Sequence, residues 1–264
     1  MGDLFGSCMA NMAILAVIDL LHRHHVWPAV EVGHARVASV AITLVAMAVL
    51  GILRPPGLAM GWLGLDTLAI AGTYLAAVVW MRRSPRSRFS ADLAPHPTGW
   101  TRAERTGVRP AVLRFAFAAV VVLVAAPAFA RSGQAIAELG GISETFVGAA
   151  FLAVATSLPE LVVALAAVRI GAHDLAVGNL FGSNAFNMFA LLFVDAAYVD
   201  GPVLAAVDPA QATAGVGAIL LMALALAALV HGVETRVRRL EPDAVVLLTL
   251  YVVLLGVIWT QSPA

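Results

Sequence analysis

The chain contains no lysine and a single cysteine, Cys8. One cysteine excludes a disulfide within the chain and says little about redox compartment. Charge of either sign is scarce: Asp, Glu, Lys and Arg make up 12% of the 264 residues, and their formal sum is zero. A neutral chain gives no reason to invoke nucleic acid. No set of Cys and His stands at zinc spacing inside the apolar runs, and no cofactor fingerprint appears. An enzyme is not expected either, because Glu160 has no nucleophile–base partner beyond neighbouring hydroxyls. No basic n-region precedes the first apolar run, so no signal peptide is read. What the chain has in excess is apolar residues, 61% of the total, against ~45–50% in soluble domains.

Apolar stretches long enough to cross a bilayer recur eight times, over 4–21, 37–53, 62–81, 110–130, 145–168, 176–198, 210–230 and 243–260. The expected fold is therefore all-α and polytopic, an integral membrane protein with the lipid bilayer as its first partner. Trp62, Trp80 and Trp259 fall near span ends, as interfacial anchors do. The segment from Arg82 to Arg109, with Pro85, Pro95, Pro97 and Gly99, reads as a linker. All 16 basic residues are Arg, and 14 of them fall in alternate connections on one side. Only Arg54 and Arg131 fall on the other. The positive-inside rule then places the linker in the cytoplasm and both termini outside. A missed or extra span would scramble this alternation, so it also supports the count of eight.

An internal repeat organises the chain further. Residues Gly2 to Met12 match Gly178 to Met188 at an offset of 176, with seven of eleven positions identical. Asp19 maps onto Asp195 at the same offset. The copies lie five spans apart, an odd number, so they should cross the membrane in opposite directions. Inverted repeats are the usual build of secondary transporters, with the substrate site at the midplane where the repeats meet. The division expected is a first repeat over 1–84 with three spans, a linker over 85–109 and a second repeat over 110–264 with five. By this symmetry about two spans and some 66 residues are missing from the front of the first repeat. The sequence would then be a fragment, a late start or a protein that is this short, and the 264-residue chain alone should transport little.

The costliest residues lie in Ala155-Thr156-Ser157-Leu158-Pro159-Glu160. Pro159 removes a backbone donor and pushes away the carbonyl of Ala155. A carboxylate near the centre of a membrane helix costs at least about 2.5 kcal/mol. A broken helix at that depth is tolerated where its freed backbone groups meet protein or a water-filled cavity. Two readings fit these six residues. Free carbonyls near Ala155 and Thr156, two hydroxyls and Glu160 offer oxygens to a cation, or a proline kink carries a protonated Glu bonded to a neighbouring helix.

Asn179, Ser183 and Asn187 stand four apart and share one helical face, and Asp3, Ser7 and Asn11 repeat the stripe. Such polar-plus-small faces also serve as helix–helix contacts in membranes. Recurrence in both halves, beside the Pro-Glu break, favours an ion path. Hard cations suit this oxygen inventory: Ca²⁺ takes carboxylates, carbonyls and amides at flexible geometry, and Na⁺ accepts hydroxyls and carbonyls. His22, His24 and His25 read as a solvated helix end, and His173 and Asp174 as a short connection. Asp66 reads as a cap or interface residue. Asp19 and Asp195 could line cavity mouths or be solvated at helix ends.

Thr156-Ser157-Leu158-Pro159-Glu160, followed by Gly178 to Asn184 and Asn187, resembles the second alpha repeat of the cation/Ca²⁺ exchanger superfamily, in particular the prokaryotic sodium/calcium exchangers. Residues 1–20 resemble the latter half of the first alpha repeat. The resemblance implies ten spans in two inverted fives, in the plasma membrane of a prokaryote, and antiport of Na⁺ for Ca²⁺ by alternating access. Both ions would be transported cargo, with no resident cofactor. It implies that Glu160 and the Thr156 carbonyl are Ca²⁺ ligands, that Ser157, Ser183 and Ser7 contribute to Na⁺ sites, and that Asn11 and Asn187 share a central site. Asp3, Asn179, Asn184 and Ala155 would border the ion path.

The sequence departs from that pattern in four places. Ala155 replaces a glycine, Cys8 stands where the second copy has Asn184, Asp3 stands where it has Asn179, and the first Thr-Ser-x-Pro-Glu segment is missing. Glu160 alone brings one negative charge to a divalent ion, which leaves charge uncompensated at low dielectric. A H⁺/Ca²⁺ exchanger is the alternative in the same class, and extra intramembrane carboxylates would favour it. The retained serines favour Na⁺. A membrane protein that does not transport, serving as a structural partner, is the alternative from another class. The oligomeric state is not read from the sequence.

Overall fold

The computed structural model describes residues 1–21, 33–55, 57–83, 108–231 and 242–261. Nearly all of them are helical, as the continuous apolar runs require. Helices α1 (Gly2–Leu21) and α2 (His34–Leu53) are followed by a two-stranded hairpin, β1 (Ala59–Met60) and β2 (Leu63–Gly64), and by α3 (Leu65–Arg83). After the linker come α4 (Val108–Gly140) and a broken helix: α5 (Glu144–Phe146), a π turn over Val147–Leu152, α6 (Ala153–Thr156) and α7 (Leu158–Arg169). Then follow α8 (His173–Ala197), the short α9 (Val203–Ala206), a 3-10 turn at Pro209–Gln211, α10 (Ala212–His231) and α11 (Pro242–Thr260). The linker's interior and His22, His24 and His25 lie outside the described residues.

Each of the eight expected spans holds a helix. Among the described residues, five helices are long and apolar enough to cross a membrane, and the broken helix counts as a sixth if its two halves form one span. The other two expected spans are α3 and α4. The span expected over 62–81 starts later, because residues 59–64 form the hairpin and the helix begins at Leu65. The span expected over 110–130 runs on to Gly140. It ends there because Gly141 takes φ 61°, a left-handed conformation suited to glycine. That turn lets the Ile142 N–H reach back to the Ala137 carbonyl at 3.0 Å.

Helix α1 is the axis of the assembly. Within its most apolar stretch 67% of residues are buried, against 22% for α11 at the periphery. It packs on α10, α11, α8 and the broken helix, while α2 packs on α8 and α10. Phe5, Met9, Met12 and Leu15 of α1 meet Phe181, Met188 and Leu191 of α8 in one apolar cluster, all fully buried. Tyr74 of α3 stacks on Phe189 of α8 at 4.8 Å. In lipid, helices gain little from burying apolar surface, so close packing of this kind holds them together.

Two glycines set how closely α1 approaches the broken helix. A Cβ on Gly6 would lie 2.5 Å from the Ala149 Cα and 2.7 Å from the Ala153 Cβ. A Cβ on Gly148 would lie 3.1 Å from the Asp3 backbone nitrogen. The other side of the broken helix, with Phe151, Val154, Leu158, Val162 and Val163, is exposed.

At the far end of α8, Asp195 is fully buried. Its Oδ2 accepts from the Gly64 N–H at 2.8 Å and its Oδ1 from the Val203 N–H at 2.7 Å, and the Thr67 hydroxyl also donates to Oδ2. The Trp62 indole N–H donates to the Ala196 carbonyl at 3.2 Å. This carboxylate ties the hairpin, α3 and α9 to α8. It is not solvated, so the reading of Asp195 as a solvated helix end is replaced. Asp19 is fully buried as well and is not a solvated helix end.

Candidate ion-binding site

The helix breaks where Pro159 demands it. Ser157, at φ −88° and ψ 0°, joins α6 to α7; its N–H still donates to the Ala153 carbonyl at 3.0 Å and its carbonyl accepts from the Leu161 N–H at 3.1 Å, and the two halves of the broken helix meet at 42°. Pro159 sits in the first turn of α7, where its missing N–H leaves no gap in that helix. The cost falls on the carbonyl of Ala155, which loses the donor four residues on. Glu160 lies in the same first turn of α7. A negative group is stabilised at that end of a helix.

A run of hydrogen bonds crosses from α1 to this break. Thr156 donates its hydroxyl to Asp3 Oδ1 at 2.8 Å. Ser7 Oγ lies 3.0 Å from the same hydroxyl oxygen. With the Thr156 proton on the carboxylate side, Ser7 is the donor to Thr156. On the other side of the break, the Ser183 hydroxyl donates to Glu160 Oε1 at 2.8 Å. The structure thus brings together four of the residues expected in the site: Ser7 with Thr156, and Ser183 with Glu160. Asp3 joins the first pair.

The other expected residues are nearby in a different arrangement. Asn11 donates from Nδ2 to Asn184 Oδ1 at 2.8 Å, and both side chains are fully buried. Asn184 Nδ2 faces the Cys8 carbonyl at 3.4 Å, and the Cys8 thiol faces the Asn184 carbonyl at 3.9 Å. Asn187 lies beside the Cys8 thiol. Asn179 lies one turn before Ser183 on α8. Ala155 offers its carbonyl and no side-chain oxygen.

Several buried polar atoms here have no hydrogen-bond partner among the described residues: Ser157 Oγ, Glu160 Oε2, Asn11 Oδ1 and Asn179 Nδ2. Three of the four are oxygens. A buried oxygen without a donor is costly, about 1–3 kcal/mol, unless a ligand or water supplies the partner. Two of these oxygens, on Ser157 and Glu160, sit at the helix break, and the third, on Asn11, lies one turn beyond Ser7 on α1; carboxylate, hydroxyl and amide oxygens are what hard cations take. Glu160 brings charge, Asn11 a neutral amide oxygen and Ser157 a hydroxyl. Among the described residues no group of three His, Cys, Asp or Glu side chains could hold a metal by itself. A cation here would therefore depend on amide, hydroxyl and carbonyl oxygens around one carboxylate.

One cavity adjoins this region at Asp3, and a second adjoins the first. The first, of about 250 Å³, is lined by Asp3, Gly148, Gln134, Glu144 and Gln211. The other, about 500 Å³, is lined by Glu138, Glu144, Asp208, Gln211 and Gln261. Glu144 and Gln211 border both. Acidic side chains therefore line both cavities, Asp3 and Glu144 the first and Glu138, Glu144 and Asp208 the second. Sequence reading missed Glu138, Glu144 and Asp208 as lining residues, because Glu138 stands at the end of α4, Glu144 opens α5 and Asp208 precedes the 3-10 turn, and none carries a motif.

The chain is 30% identical over 172 residues to "Putative antiporter CaxA" of Alkalimonas amylolytica, covering 62% of this chain and 50% of that protein. It is 33% identical over 123 residues to the inner membrane protein YrbG of Escherichia coli, covering 47% of this chain and 37% of that protein. It is 44% identical over 71 residues to the sodium/calcium exchanger MaX1 of Methanosarcina acetivorans, covering 27% of this chain and 20% of that protein. The chain thus spans half or less of the length of these curated relatives. No solved structure matches it. The sequence model of the family described as sodium/calcium exchanger protein matches residues 110–260, more than half of the chain and the part that holds Thr156, Ser157, Glu160, Ser183 and Asn187. The chain, an all-α polytopic membrane protein, belongs to that family.

Proposed function

We propose that the protein is a secondary active antiporter that moves Ca²⁺ across the membrane in exchange for Na⁺ by alternating access. The observation that carries this reading is the pair of unpartnered buried oxygens at a proline-broken helix, Glu160 Oε2 and Ser157 Oγ, with a third, Asn11 Oδ1, one turn beyond Ser7 on the helix that packs against it. A rigid closed core would pair such atoms, whereas a site that is filled and emptied by turns keeps them available. Glu160 is the principal Ca²⁺ ligand, with its Oε1 steadied by Ser183 and its Oε2 free for the ion. The Thr156 carbonyl and the amide oxygens of Asn11 and Asn187 complete the Ca²⁺ set. Ser7, Ser157 and Ser183 serve Na⁺. Asp3, Asn179 and the Ala155 carbonyl border the path, and the cavities lined by Glu138, Glu144 and Asp208 concentrate cations at its entrance.

The two halves meet as inverted repeats in this reading, with 1–84 and 110–264 on either side of a cytoplasmic linker over 85–109. The reciprocal contacts of Cys8 and Asn184, each with its side chain against the other's backbone carbonyl, support it. These positions are 176 apart, equal to the repeat offset, and a two-fold axis between copies would bring such a pair together. Both termini then face outward, from the plasma membrane of a prokaryote.

Coupling to H⁺ in place of Na⁺ is the second reading. It is favoured by Asp3, an additional carboxylate hydrogen-bonded into the site through Thr156. Intramembrane carboxylates are the usual proton carriers of pumps and transporters. The test is ⁴⁵Ca²⁺ uptake into proteoliposomes holding the whole protein to which this chain belongs. Uptake driven by an outward Na⁺ gradient at equal pH supports Na⁺ coupling. Uptake driven only by an outward H⁺ gradient replaces it with H⁺ coupling, and uptake under neither gradient contradicts antiport.

A further inference from the structure

The amide of Asn184 is fully buried between α1 and α8. It bonds to nothing in the run from Asp3 to Glu160, yet its orientation follows from its neighbours. The Cys8 carbonyl can only accept, so the part of Asn184 that faces it at 3.4 Å is Nδ2. The Asn184 Oδ1 is then turned to Asn11 at 2.8 Å, and since it can only accept, Asn11 must present its Nδ2. A planar amide that turns its nitrogen one way turns its oxygen the other. The Asn11 Oδ1 is that oxygen, buried and without a partner among the described residues. One backbone carbonyl on α1, read through one side chain on α8, thus decides which end of the Asn11 amide is free. The thiol of Cys8, which faces the Asn184 carbonyl at 3.9 Å, adds a second contact between the same two residues.

We infer that Asn184 is a positioning residue, which holds the Asn11 amide with its oxygen, and not its nitrogen, presented to the transported cation. The inference rests on the reading of Asn11 as a Ca²⁺ ligand and deepens it. An unheld asparagine can turn its N–H groups toward the ion, and these repel it. Asn184 does not touch the cation, and its effect passes entirely through Asn11.

The test measures the Ca²⁺ concentration dependence of uptake by the whole protein in proteoliposomes, giving KM and maximal rate for each variant. Asn184→Ala releases Asn11 and is expected to raise the Ca²⁺ KM about three- to tenfold, the loss that follows from one buried hydrogen bond, with a smaller change in maximal rate. Asn184→Gln keeps both an acceptor for Asn11 and a donor for the Cys8 carbonyl and is expected to bring the KM closer to wild type than Asn184→Ala does. In an Asn11→Ala background, Asn184→Ala should add nothing, because the amide it positions is gone. An unchanged KM in Asn184→Ala where Asn11→Ala raises it would overturn the inference. So would a full additional cost in the double variant, or a KM in Asn184→Gln as high as in Asn184→Ala. If Asn184→Ala does not yield folded protein, Asn184→Leu, which fills the volume without an acceptor, takes its place with the same expected rise in KM. A wild-type KM in Asn11→Ala overturns the ligand reading itself, and this inference with it.

Discussion

Glu160 and Ser183 show how one residue's chemistry depends on a single donor. The Ser183 hydroxyl holds Glu160 Oε1 at 2.8 Å and so fixes where Oε2 points. Ser183→Ala leaves the carboxylate in place but unsteadied. It is expected to weaken Ca²⁺ uptake about tenfold or more, by the roughly 1.5–3 kcal/mol of a hydrogen bond to a charged group. Uptake kinetics at varied Ca²⁺ check this, and a wild-type KM would remove Ser183 from the site. The sequence makes Glu160 and Ser183 individually legible, since a carboxylate beside proline and a polar stripe at spacing four both stand out from an apolar chain. It could not show that Asn184 faces Asn11 or that Asp195 is a tie point. The partners of Asp195 include two backbone N–H groups, Gly64 and Val203, and backbone groups have no signature in a sequence. Nor does spacing say which of two crossing helices supplies an amide's acceptor.

At the scale of elements, the site exists because α1 and the broken helix come close. Gly6 permits that approach, and no added Cβ fits there without movement. Gly6→Ala is expected to push the helices apart, at about 1–3 kcal/mol for overpacking, and to separate Ser7 from Thr156. A lower melting temperature together with reduced exchange is the predicted outcome. Unaltered exchange would show that the Ser7–Thr156 contact is dispensable. Asp195→Ala acts at the other end of α8, where it strips three donors of their acceptor. It is expected to lower stability by about 3 kcal/mol, read as a lower melting temperature in detergent, with little change in Ca²⁺ KM. A raised KM at unchanged stability would place Asp195 in the ion path. The helices were legible from their apolar runs and the break from Pro159. The hairpin at 59–64 was not, because its two-residue strands are too short to show a period, and its place depends on Asp195 and Trp62 meeting it from α8.

For the whole molecule, the Arg asymmetry makes a prediction about orientation. Cys8 is buried, so single cysteines introduced elsewhere can be labelled against a silent background. A membrane-impermeant thiol reagent applied to intact cells should label Ser262→Cys and spare Ser87→Cys until the cells are permeabilised. Both positions lie outside the described residues, and the reverse pattern would invert the topology. Six of the eight expected spans have the length and apolar character to cross the membrane when the broken helix counts as one span. The repeat was legible as a run of identities, since a duplicated polar motif in an apolar chain is hard to produce by chance. How its copies meet was not legible, because a crossing between helices is a tertiary fact. The central claim is that the charge of Glu160 at the helix break binds the transported Ca²⁺. Its most direct test is Na⁺-gradient-driven ⁴⁵Ca²⁺ uptake by the whole protein in proteoliposomes, compared with Glu160→Gln. That substitution keeps the shape and an acceptor oxygen and removes the charge. Uptake is predicted to fall on the order of tenfold or more, and exchange at the wild-type rate in Glu160→Gln would contradict the account.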